Sequence, residues 1–128
     1  APAGSTQGQE LQARVDIAEK NQADIFVSLH SNENPNKAIA GAMTFYPTGK
    51  SADLALTVQN ELVRVTNAID KGVSPASFYV LRNNSVPSIL VEMGFVSNRD
   101  EAAKLNSDQY RTELAQGICS GIIKYLNR

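Results

Sequence analysis

Two stretches decide the fold: Asp24-Ile-Phe-Val-Ser-Leu-His30 and Ser88-Ile-Leu-Val-Glu-Met-Gly-Phe95. Each is a short, nearly continuous apolar run, which reads as a buried strand. Each also carries a polar residue that a buried strand has no reason to hold, His30 at the end of one and Glu92 late in the other. Working outward, Gly41-Ala-Met-Thr-Phe-Tyr-Pro47 is another strand, closed by its proline. Phe78-Tyr-Val-Leu81 reads as a further short one. Ser31-Asn-Glu-Asn-Pro-Asn-Lys37 and Asn83-Asn-Ser85 are turn chemistry.

The intervening segments have helical spacing. Leu11, Val15 and Ala18 share one face, with Thr6 and Gln9 as a capping box and Asn21 as a stop. Residues 1 to about 8 have the composition of a loop or frayed end. Leu54, Val58, Leu62 and Val65 line a helix that opens after Ser51, and Asp70-Lys-Gly72 breaks the pattern. Asn98, with Glu101 three residues on, caps a short helix. Tyr110, Leu114, Ile118, Ile122 and Tyr125 stripe a last helix after Ser107, with Cys119 beside the stripe as a small buried thiol. The expected order is helix, strand, strand, helix, strand, strand, helix, helix. That predicts one α/β domain over residues 1–128, with a single twisted, mainly parallel or mixed sheet flanked by helices on both faces.

Composition narrows the function. Of 128 residues, 42% are hydrophobic and 20% charged, a globular balance. Twelve basic residues against 13 acidic ones give a net charge of −1. That argues against a generally basic nucleic-acid or anionic-membrane binder. No apolar run approaches the ~20 residues of a membrane span. One cysteine excludes an intrachain disulfide, and one histidine excludes any site that needs two histidines from this chain. There is no Gly-rich phosphate loop, no nucleophile elbow and no CxxC.

In layered α/β sheets, functional groups gather at the carboxyl ends of strands. His30 is at such an end. Ser28, His30 and Asn32 alternate, so an extended chain puts them on one polar face that leads into a loop. His30 there is either a structural hydrogen-bonding residue or a site residue. Glu92 is flanked by Ile89, Leu90, Val91 and Met93, and a buried carboxylate is costly unless paired or neutralised. It either bridges to a cation such as Arg82 or is a general base in a cleft, tuned by burial and a nearby cation. Arg82 itself is either structural or a holder of a substrate carboxylate or phosphate. Asp24 reads as a cap, and Glu10, Asp16, Glu19 and Lys20 as a solvated helix face.

Taken in order, these blocks resemble a known family. Arg14-Val-Asp-Ile-Ala18, followed by Ala23-Asp-Ile-Phe-Val-Ser-Leu-His-Ser-Asn32, resembles "R-x-x-I-A … A-D-(L/I)-F-(V/I)-S-(I/L)-H-x-N". Asp70-Lys-Gly-Val73 resembles "(D/N)-R-G-V", and Phe78-Tyr-Val-Leu-Arg82 resembles "F-x-V-L-R". Val86-Pro-Ser-Ile-Leu-Val-Glu-Met-Gly-Phe-Val-Ser-Asn98 resembles "(V/M)-P-(A/S)-(V/I)-L-(V/I)-E-x-G-F-(L/I)-S-N". All are blocks of the zinc-dependent N-acetylmuramoyl-L-alanine amidases of the amidase_3 type, and the similarity runs from about Leu11 to the C-terminus.

The resemblance implies a peptidoglycan hydrolase that cleaves the amide between muramic acid and L-alanine. It implies zinc as cofactor, His30 as one ligand and Glu92 as the catalytic carboxylate. Asn32 and Arg82 are the candidate substrate contacts. It further implies a bacterial protein of the cell wall or exterior whose partner is peptidoglycan. The family's two other zinc ligands are a histidine in D-x-G-H-G-G and a glutamate in the following helix, both earlier in the domain. This sequence has no H-G-G, and Glu10 and Glu19 lie in the wrong block to replace that glutamate. The chain thus corresponds to the C-terminal two-thirds of a catalytic domain, expecting a missing N-terminal segment and a separate wall-binding domain as partners. The alternatives are a non-catalytic peptidoglycan-binding or regulatory remnant of the fold, or an inactive fragment. Some relatives insert a regulatory helix after the strand equivalent to Gly41–Pro47. Here only a few polar residues separate Pro47 from the helix at Leu54.

Overall fold

The structure, a computed structural model, describes residues 7–128. Thr6, and with it the expected capping box, lies outside them. The elements are α1 (Gln7–Lys20), β1 (Phe26–Asn32), β2 (Ala42–Tyr46), α2 (Ala52–Thr66), β3 (Asp70–Pro75), α3 (Tyr79–Arg82), β4 (Ser88–Phe95), α4 (Arg99–Leu105) and α5 (Asp108–Leu126). Gln7 and Gly8, expected in a loop, already belong to α1. The four strands form one mixed sheet in the order β1-β4-β2-β3. β1 runs parallel to β4 and β2 parallel to β3, while β2 and β4 are antiparallel.

Strand position in the sheet explains strand burial. Central β4 is buried over Ser88–Val91 and again at Gly94 and Phe95. β1 is an edge strand, and it is only half-buried rather than buried as its composition suggested. Leu29 is 53% exposed because no strand covers its outer side among the described residues. β1 also extends to Asn32, so the turn begins only at Glu33.

Two elements differ from expectation. Phe78–Leu81 does not form a strand. Tyr79–Arg82 is one helical turn, with Leu81 N donating to Phe78 O at 3.1 Å. A four-residue apolar run fits a strand or a helical turn equally well. Here the turn buries Val80 and Leu81 together against Leu90. The missing strand is instead Asp70–Pro75, which read as a helix breaker. It is polar and carries Gly72 at φ 77°, so only its parallel pairing to β2 makes it a strand.

The sheet separates two apolar layers. On one face α2 and α5 pack Leu54, Val58, Leu62, Leu114 and Ile118 against Ile89 and Val91. Gly117 and Gly121 let α5 approach very closely. A Cβ at Gly121 would stand 2.5 Å from Val58 Cα, and one at Gly117 would stand 2.8 Å from Leu62 Cα. On the other face α1 and α3 bring Leu11, Val80 and Leu81 onto Phe26, Phe45 and Leu90. Cys119 is exposed rather than buried. Gly117, Ile118 and Gly121 take the packed side of α5, and one residue's rotation of about 100° carries position 119 to solvent.

Three polar side chains brace this frame. Gln59, 1% exposed, accepts from Thr44 Oγ1 at 2.8 Å and donates to Ala42 O and Asp70 Oδ1, both at 2.9 Å. Asn98 caps α4 as expected, accepting from Glu101 N at 3.1 Å. Glu101 does not complete a capping box. Its Oε1 instead accepts from Gly41 N at 3.0 Å and Phe95 N at 2.8 Å, tying the start of β2 to the end of β4.

Candidate active site

The β1–β4 register sets Ser28 beside Leu90 and His30 beside Glu92. On the other side of β4, Met43 of β2 is the partner of Glu92. Paired positions in neighbouring strands share a face, so His30 and Glu92 project together from the face that α1 and α3 cover. Both lie near the carboxyl ends of their parallel strands, and Pro47–Ser51 alone separates β2 from α2, with no inserted helix.

The two side chains differ in environment. The His30 ring is exposed, with Nε2 3.0 Å from Ser28 Oγ. Glu92 is half-buried, and its Oε2 is buried with no hydrogen-bond partner among the described residues. Burial pushes the Glu92 carboxyl above the usual carboxylate range, and the charge of nearby His30 pulls it partly back. An unpaired, desolvated carboxylate beside an imidazole can accept a proton from a bound water and release it again.

The other candidates go elsewhere. Arg82 makes no bridge to Glu92. Its Nη1 donates to Ser77 Oγ at 3.5 Å and its guanidinium lies 5.6 Å over the Tyr79 ring. Asn32 follows a register shift in the β1–β4 ladder and faces Phe95 rather than continuing the His30 alternation. Its Oδ1 accepts from Glu33 N at 2.8 Å, and its backbone O accepts from Val96 N at 2.8 Å. It shapes the loop after the strand. Asp24 sits exposed at the bend before β1, with no side-chain capping bond among the described residues.

A hollow of about 170 Å³ opens at His30, walled by Leu11, Phe78, Tyr79, Val80 and Leu90, with Arg14 on its rim. Arg14 is the residue that sequence reasoning missed as a site candidate. The signal was its place three residues after Leu11, on the helix face turned to the sheet. A roomier apolar hollow of about 300 Å³ lies on the opposite face, between Leu29, Met93 and α5. It contains neither His30 nor Glu92.

Metal binding is tested by the donors present. Among the described residues no three His, Cys, Asp or Glu side chains cluster. A catalytic zinc takes three protein ligands and keeps one position open. His30 supplies one imidazole, and the orphaned carboxylate oxygen of Glu92 beside it suits a proton acceptor rather than a ligand, so the described residues fit part of a zinc centre and not the whole of one.

Comparison with known proteins gives this pair its context. Residues 3–124 match the family Amidase_3, N-acetylmuramoyl-L-alanine amidase. The chain is 38% identical over 119 residues to the N-acetylmuramoyl-L-alanine amidase LytC of Bacillus subtilis, covering 90% of this chain and 24% of that protein. It is 33% identical over 121 residues to the germination-specific N-acetylmuramoyl-L-alanine amidase of the same species, covering 91% and 51%. Among solved structures, the CwlD amidase of Clostridioides difficile, in complex with the GerS lipoprotein, superposes with a TM-score of 0.90 at 35% identity, covering 99% of this chain and 70% of that one. AmiC2 of Nostoc punctiforme gives 0.88 at 39%, covering 91% and 66%. The chain therefore spans about a quarter to a half of these two curated relatives. From its His30 block to its Glu92 block, on a sheet shared with solved amidase structures, the chain belongs to the Amidase_3 family of N-acetylmuramoyl-L-alanine amidases.

Proposed function

We propose that the protein hydrolyses the amide between N-acetylmuramic acid and the L-alanine of the peptidoglycan stem, at a bacterial cell wall or outside the cell. The observation that carries this reading is the in-register pair of exposed His30 and half-buried Glu92, whose Oε2 has no partner among the described residues. His30 would hold a zinc ion through a ring nitrogen, together with donors from polypeptide beyond the described residues. When bound, zinc supplies Lewis acidity at the amide carbonyl and lowers the pKa of a bound water to about 7.

Glu92 takes the proton of the attacking water. The carbon–nitrogen bond breaks, and Glu92 returns that proton to the nitrogen that leaves as the alanine amine. Its burial supports this role, because a raised carboxyl pKa brings it closer to the operating pH. Ser28 steadies the imidazole through the 3.0 Å contact to Nε2.

The absence of a cluster of three metal donors among the described residues favours a second reading, a peptidoglycan-binding remnant without activity. One experiment separates the two. Purified peptidoglycan is incubated with the protein and zinc, and new alanine amino termini are counted. Amide cleavage that Glu92→Gln abolishes supports the hydrolase. Sedimentation with peptidoglycan and no new amino termini supports the remnant.

A further inference from the structure

Arg14 carries a charge that the frame does not use. It is exposed on α1, and no ion pair or hydrogen bond joins its guanidinium to another described residue. Glu10, four residues back on the same helix face, is exposed and makes no ion pair with it among the described residues, and Asp16 accepts instead from Gln12 Nε2 at 2.8 Å. Gln12 in turn accepts from Tyr79 OH at 2.6 Å, which locks α1 onto α3 and fixes the wall of the hollow. Arg14 and His30 line that same hollow, while its other walls are mainly apolar. A lone guanidinium at the edge of an apolar recess matches a planar anion that meets its fork with two parallel hydrogen bonds, which is what a carboxylate offers.

We propose that Arg14 anchors a carboxylate of the peptide half of the substrate in the hollow beside His30. This rests on the amidase reading above. Next to the alanine released by cleavage, the stem carries a glutamate whose α-carboxyl is free in some peptidoglycans and amidated in others. One extended residue spans about 3.3–3.6 Å, so a peptide cut beside His30 brings that group into the neighbouring recess. Arg14 thereby selects stems with a free carboxylate and orients the alanine amide toward Glu92.

The test uses the muramyl peptide MurNAc-L-Ala-γ-D-Glu-L-Lys-amide with the glutamyl α-carboxyl either free or amidated, and the matching peptides without the sugar. With the wild-type protein, cleavage of the acid form should exceed that of the amide by about tenfold in kcat/KM, roughly one charged hydrogen bond. Arg14→Ala should abolish the preference by raising KM for the acid form alone, and Arg14→Lys should keep part of it. Calorimetry with the sugar-free peptides should show the same Arg14-dependent preference without any turnover. Equal losses on both substrates, or an unchanged preference in Arg14→Ala, would overturn the proposal. Failure to cleave either substrate at zinc concentrations that saturate His30, with Arg14-dependent peptide binding retained, would instead overturn the amidase reading and leave the carboxylate site standing.

Discussion

His30 on β1 and Glu92 on β4 stand side by side across a parallel strand pair, and Met43 of β2 closes the other flank of the carboxylate. Glu92 is therefore flanked in register by His30 on one side and Met43 on the other. No donor among the described residues satisfies its inner oxygen. A stability-driven fold would have paired or replaced such a group. Its place at a strand end beside the histidine suits the proton transfer proposed for it.

Glu92→Gln should lower amide hydrolysis by about 10²-fold or more, the usual scale for a lost general acid–base group. The fold should not suffer. A raised folded-state pKa means that ionised Glu92 opposes folding. The stabilisation of its protonated form is full below the unfolded pKa and disappears as pH rises through the folded one. Urea titrations at pH 4 and pH 7 should thus show wild type losing more stability than the glutamine variant across that interval. A variant less stable than wild type at pH 7 would contradict this placement.

Zinc binding by this 128-residue chain should be weak and should depend on His30. With one imidazole available, most of the coordination sphere is left to water. His30→Ala should reduce retained zinc to background in equilibrium dialysis, and Glu92→Gln should leave it largely unchanged, since the proposed role of Glu92 is proton transfer and not zinc ligation. Tight stoichiometric zinc that survives His30→Ala would point to donors among the surface acids Glu10 and Glu19.

Much of this arrangement was legible in the sequence, for physical reasons. Apolar runs around His30 and Glu92 marked the strands, and helical spacing marked α2 and α5. That His30 and Glu92 share a sheet face was foreseeable, because both sat toward strand ends. What escaped was set by non-local contacts. β3 has no strand composition and exists through its partner β2. The apolar turn at Tyr79–Arg82 became helical because that geometry buries Val80 and Leu81 on one side. Arg14 read only as the start of a motif block, because the wall that α3 places beside it is a non-local contact. Cys119 looked buried because it adjoins Ile118, yet the glycines rather than the thiol face α2.

Those glycines give a sharp packing prediction. Gly121→Ala would push a methyl group to 2.5 Å from Val58 Cα, a backbone atom that cannot swing aside. Overpacking of this kind costs about 1–3 kcal/mol, and the higher helix propensity of alanine offsets less than about 1 kcal/mol of it. Chemical denaturation should show net destabilisation. Gly8→Ala, where nothing lies within 4 Å, should be neutral or slightly stabilising. Equal effects at the two positions would mean that α2 and α5 are further apart than described.

Glu61 should give the opposite pH signature to Glu92. It lies on α2 with its side chain 7% exposed. Arg64 donates to it through Nη2 at 2.8 Å and Nε at 3.1 Å, Ser120 Oγ donates at 2.7 Å, and Lys124 Nζ lies 3.2 Å away. The Arg64 hydrogen bonds, then that of Ser120, hold its carboxyl down at about 2 against the usual 4.5. A depressed folded-state pKa stabilises the fold above the unfolded value, and that contribution is lost as pH falls from about 4.5 toward 2. Arg64 and Lys124 are more than half exposed, so solvent screens part of the effect. Glu61→Gln should therefore cost about 1–2 kcal/mol at pH 7. The difference from wild type should shrink as the acid is titrated, until the two converge near pH 2. Denaturation curves at pH 7, 4.5 and 2.5 would read this directly. A gap that stays constant over the range would mean that Ser120 and Arg64 hold Glu61 by geometry alone, without preference for its ionised form.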